Sequence, residues 1–99
     1  MNHHVYFWLK DEHLNEIDRA IFERRLSELF HIRWVTGGRW AVPAKVGERP
    51  VVDQSWHYAL TMEFANLEGH DAYQNDEVHL EFVETFRDWW EKVIVHDLD

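Results

Sequence analysis

The side chains able to do chemistry in this sequence are histidines, tyrosines and carboxylates. The chain has no cysteine, which removes thiolate nucleophiles, disulfides and cysteine-held metal or iron–sulfur sites. It has eight histidines, whose imidazole is a side chain able to serve as a general base, and a tyrosine phenol can donate a hydrogen bond to developing negative charge. His3, His4, His57, His70, His79 and His96, with acids such as Glu63 and Asp97, also offer donors that suit divalent metals. No pair among them has the HxxxH or HxH spacing of a local site, so no metal and no cofactor is expected. Trp8, Trp34, Trp40, Trp56, Trp89 and Trp90 could line a pocket for a flat apolar ligand, although packing in a core or an interface is their plainer use.

The chain that must position these groups has 99 residues, enough for one domain spanning 1–99. With 45% hydrophobic and 15% aromatic residues it has ample material for a core, and more large aromatics than one small core readily hides. Dimerisation would use the excess. A formal charge of −9, with no basic run longer than Arg24-Arg25, argues against nucleic acid as a partner. No stretch approaches the ~20 apolar residues of a membrane span, and the N-terminus lacks a signal-peptide layout. A cytoplasmic protein with no membrane partner is therefore expected.

Val5-Tyr6-Phe7-Trp8-Leu9 reads as a short strand buried on both faces. Asn15 is placed to cap a helix carrying Ile17, Ile21, Phe22, Leu26, Leu29 and Phe30 at helical spacing. Ile32–Val42 reads as a second strand bulged at Gly37-Gly38, and Ala44–Gln54 as an exposed loop. From Trp56 to Phe64 large apolar residues fall at every second position, the clearest strand signal. Asn66–Asn75 reads as a short helix, and Val78, Phe82, Val83, Phe86 and Trp90 mark a longer one. Val93-Ile94-Val95 supplies a fourth strand. This order describes an α+β, ferredoxin-like sandwich with a four-stranded antiparallel sheet. Helices would cover one face, leaving residues as large as Trp56 or Tyr58 on the other for a second subunit to cover.

Three stretches, His4-Val5-Tyr6-Phe7-Trp8-Leu9-Lys10, Asp71–His79 and Trp90–Asp97, resemble the stress-responsive dimeric α/β-barrel family. The resemblance implies a ferredoxin-like fold in which the sheets of two subunits meet as a barrel, hence a homodimer. It extends to polyketide cyclases of plants that close a ring by aldol condensation without a cofactor. Their catalytic tyrosine and histidine resemble Tyr73 and His79, with the same six-residue separation, and a further pocket histidine resembles His4. Many members have His-Pro where this chain has Asp76-Glu77, two acids suited to a helix N-terminus.

The resemblance thus implies a dimer that binds a small apolar ligand, with Trp8, Trp56, Tyr58 and Phe82 as ligand-binding candidates. One alternative is a cofactor-independent cyclase or lyase using His79 as base, Tyr73 as donor and His4 as an orienting group. Another is a barrel like the haem-degrading or quinol-oxidising monooxygenases, with His79 as a haem ligand.

Overall fold

The computed structural model describes all residues, Met1–Asp99. The elements run β1 (Asn2–Leu9), α1 (Glu16–Leu29), β2 (Val35–Ala41), β3 (Tyr58–Phe64), α2 (Leu67–Gln74), α3 (Glu77–Phe86) and β4 (Trp90–Leu98), with 3₁₀ turns at Asp11–His13 and Arg87–Trp89. Each helix starts where a short polar side chain can take up an orphan backbone N–H. Asn15 accepts from the Asp18 amide at 2.8 Å, Asn66 from Gly69 at 2.9 Å and Asp76 from Val78 at 2.9 Å.

The strands form one antiparallel sheet in the order β2-β3-β1-β4, so β1 and β3 are central. This is the ferredoxin-like arrangement that the order of elements suggests. In β1 the residues alternate, with His3, Val5, Phe7 and Leu9 buried and His4, Tyr6 and Trp8 only partly so. The strand is therefore not buried on both faces. Pairing carries the alternation to its neighbours: Val5 lies opposite Leu60 on β3 and Val95 on β4, and Phe7 opposite Tyr58 and Val93. The helices cover this face, where Phe22 of α1 packs edge-on to Phe7 and meets Phe82 and Phe86 of α3 at centroid distances of 5.8 and 5.2 Å.

Several boundaries differ from those read in the sequence. Ile32–Trp34 is a turn, and β2 begins at Val35. Within β2 the register slips between Val35 and Gly37, and Gly38 has φ +114°; a Cβ there would lie 1.9 Å from the Thr61 carbonyl oxygen, so a side chain is excluded. Trp56 and His57 precede β3, and the His57 ring ends the β1–β3 pairing by accepting from the Leu9 amide at 2.9 Å. Helix α3 stops at Phe86, which places Trp90 at the start of β4 instead of on the helix. Ile17 and Ile21 lie exposed on α1, whose buried residues are Phe22, Leu26 and Leu29. No helix is long and apolar enough to cross a membrane.

Candidate functional site

Between the covered face of the sheet and helices α2 and α3 lies a cleft of ≈ 500 Å³. Its walls are mainly apolar, with Val5, Phe7 and Leu60 from the sheet, Phe82 and Val83 from α3, and Trp90, Val93 and Val95 from β4. The polar groups in it are His3, His70, Tyr73, Gln74, His79 and Asp97. A hydrophobic hollow with a few convergent polar groups is the usual form of a small-molecule site.

Tyr73 and His79 come together because α2 ends at Gln74 and α3 starts at Glu77, so the five residues between them span a tight helix–helix junction. Their rings are 4.6 Å apart. The His79 Nδ1 lies 3.0 Å from the Gln74 carbonyl oxygen, which can only accept, so Nδ1 carries the proton and Nε2 is left as a lone pair. Burial holds the His79 imidazole below its ordinary range, which favours the neutral, basic ring. Tyr73 is 1% exposed, and burial raises its phenol well above the ordinary value, which keeps it protonated and a donor. Trp90, in the cleft wall, keeps a buried indole N–H with no partner in the protein. A hydrogen-bond acceptor on a bound molecule would satisfy it.

The structure places the other sequence candidates as follows. Phe82 lines the cleft. His4 does not: it sits on the opposite face of β1, and His3 takes the place expected of it. Tyr58 is fully buried, but under α1, where Arg19 Nε donates to its hydroxyl at 2.9 Å and the hydroxyl donates to Glu23 at 2.5 Å. That burial and the Glu23 carboxylate push its phenol up to about 12. Trp8 and Trp56 lie outside the cleft and border a shallow depression with Tyr6, Asp53, Ile94 and His96. Trp56 stacks edge-on to Tyr6 at 5.4 Å. Trp90, one of the tryptophans able to line a pocket for an apolar ligand, does line the cleft, and so do Gln74, Val93 and Val95, which had not been singled out as ligand contacts. The alternation of Val93 and Val95 on a final strand was their available signal.

The sheet order, the helix layer and the position of the cleft define a ferredoxin-like α+β protein. The stress responsive A/B barrel domain matches residues 1–99, and the chain belongs to that family. It is similar to a ferredoxin-like Dabb-family protein of Mesorhizobium loti, with 25% identity, TM-score 0.81 and coverage of 99% of this chain and 93% of that one. It is also similar to a dimeric ferredoxin-like protein of unknown function from Bacteroides fragilis, with 20% identity, TM-score 0.74 and coverage of 99% and 93%. A hydroxynitrile lyase from Passiflora edulis shares the fold with 19% identity, TM-score 0.76 and coverage of 96% and 87%. No curated protein matches the chain in sequence.

Proposed function

We propose that the protein binds a small, mainly apolar carbonyl compound in the cleft and that His79 moves a proton on the carbon next to the carbonyl. The observation that carries this reading is the pairing of a base and a donor, His79 and Tyr73 at 4.6 Å, in one apolar cleft. In such a step the His79 Nε2 lone pair takes the α-proton, the C–H electrons form the enolate C=C, and the Tyr73 hydroxyl donates to the oxygen as negative charge grows there. The protonated ring then returns a proton to carbon, so no oxidant or cofactor is consumed. Ring closure by aldol addition and its reverse, lyase cleavage, both use this enolate. A hydroxynitrile lyase shares the same fold, which supports lyase chemistry on it, although the carbon group released from a hydroxynitrile is cyanide and not an enolate.

A second copy of the chain completes the reading. The outer face carries Tyr6, Trp8 and Trp56 as a partly exposed aromatic patch, the kind of surface that subunit contacts cover. The dimeric protein of Bacteroides fragilis supports the same use of this fold.

Exchange of α-protons in D₂O tests the chemistry, with phenylacetone as a small aryl ketone. Wild type should accelerate deuterium uptake at the carbon next to the carbonyl, and His79→Ala should lower that acceleration by ~10²–10⁴-fold. Tyr73→Phe should lower it as well. Acceleration that survives His79→Ala would contradict the assignment.

A further inference from the structure

A second group of polar residues converges at one end of the cleft without belonging to the Tyr73–His79 pair. His3 comes from β1, His70 from α2 and Asp97 from β4, and one donor atom from each lies within 4.8 Å of the others. His3 Nδ1 is 2.5 Å and His70 Nε2 3.7 Å from the same oxygen, Asp97 Oδ1.

The second of these contacts is not a satisfied hydrogen bond. His70 Nδ1 is 3.1 Å from Asp71 Oδ1, and a carboxylate only accepts, so the Nδ1 atom carries the proton. In the neutral ring this leaves Nε2 as a lone pair, buried, with no partner in the protein, facing a carboxylate oxygen that is also an acceptor. Two acceptors facing one another at this distance can be joined by a proton or by a metal cation between them.

We propose that His3, His70 and Asp97 form a binding site for a divalent transition ion of the zinc type. Two imidazoles and one carboxylate are the donors such borderline ions prefer, whereas magnesium seeks oxygen alone. Tetrahedral zinc with bonds of about 2.0–2.1 Å holds its ligand atoms roughly 3.3 Å apart. The His70–Asp97 separation of 3.7 Å is near that spacing, and the ion would replace the proton that now joins His3 to Asp97. Asp71 on the far nitrogen of His70 is the carboxylate–histidine arrangement that fixes a ligating ring. The Phe64 ring packs edge-on against both imidazoles, at 6.1 Å from His3 and 5.6 Å from His70, which limits their rotation. The Asp97 side chain is 41% exposed, so an ion can enter from solvent. Three protein ligands leave a fourth position for water or for an oxygen of a molecule in the cleft.

The test is zinc binding by isothermal titration to metal-stripped protein, read with no substrate present, so its result does not depend on the proton-exchange chemistry. Wild type should bind one zinc ion per chain and no magnesium. His70→Ala and Asp97→Asn should each weaken zinc at least ~100-fold, and Asp71→Asn, which leaves all three ligands in place, by ~10-fold. His31→Ala, which removes an exposed histidine elsewhere, should leave the affinity unchanged. If His70→Ala does not fold by circular dichroism, Asp97→Asn carries the test, because that carboxylate is part-exposed. Wild-type affinity in Asp97→Asn, equal weakening by His31→Ala, or comparable magnesium binding would each overturn the proposal.

Discussion

The two faces of β1 use neighbouring residues for opposite ends. On one face His3, Val5, Phe7 and Leu9 are at most 6% exposed beneath the helices, and the first three build the wall of a cleft. On the other, His4, Tyr6 and Trp8 stay partly exposed and pair across the sheet with Thr61, Ala59 and strand β4. The aromatic rings of the first face are fixed by their contacts with α1 and α3, while those of the second meet one another, His96 and Lys92 of β4 and the Asp53–Ser55 loop, with no helix above them. Fold stability should thus reside on the covered face and self-association on the bare one.

The largest effect expected follows from breaking the covered face. Phe22→Ala removes a fully buried ring that touches Phe7, Tyr58, Phe82 and Phe86, and should cost ~3–5 kcal/mol in urea unfolding. Trp8→Glu on the bare face should leave the monomer folded yet weaken self-association by roughly 30-fold or more in sedimentation, because a two-fold interface receives the added charge twice. Equal losses of fold stability in the two variants would erase the distinction between the faces. A smaller effect sharpens it. Burial holds His79 below 6.5, so between its folded midpoint and 6.5 the unfolded chain binds a proton that the folded chain does not. Its contribution to stability is therefore complete above pH 6.5 and is lost as pH falls through the folded midpoint. His79→Gln should flatten the acid limb of stability against pH by less than ~1 kcal/mol, given the ring's partial contact with solvent.

The elements with local signals were legible in the sequence. Asn15 and Asn66 mark helix starts because a cap acts within three residues, and the alternation from Tyr58 to Phe64 marks a strand but not which of its faces the helices cover: Tyr58, expected on the open face, lies under α1. Asp76-Glu77, read as acids suited to a helix N-terminus, do open α3. What failed was register. Val5–Leu9 is apolar at every position, so nothing in it says which parity faces the helices, and a slip of one residue exchanges His4 for His3. Trp90 continues the helical spacing of Phe82 and Phe86, but a 3₁₀ turn at Arg87–Trp89 ends the helix first. The grouping of His3, His70 and Asp97 could not be read from spacing at all, since it joins residues from both ends of the chain and a helix between them.

The central claim is that His79 is a neutral base, with Nε2 as its lone pair, inside a cleft that takes a small carbonyl compound. Nitrogen-15 NMR of the His79 ring reports the tautomer, the titration midpoint and the response to phenylacetone in one experiment. A proton on Nδ1, a midpoint below 6.5 and a ring shift on adding the ketone are the expected result. A proton on Nε2, a midpoint at or above 6.5, or a ring indifferent to the ketone would contradict it.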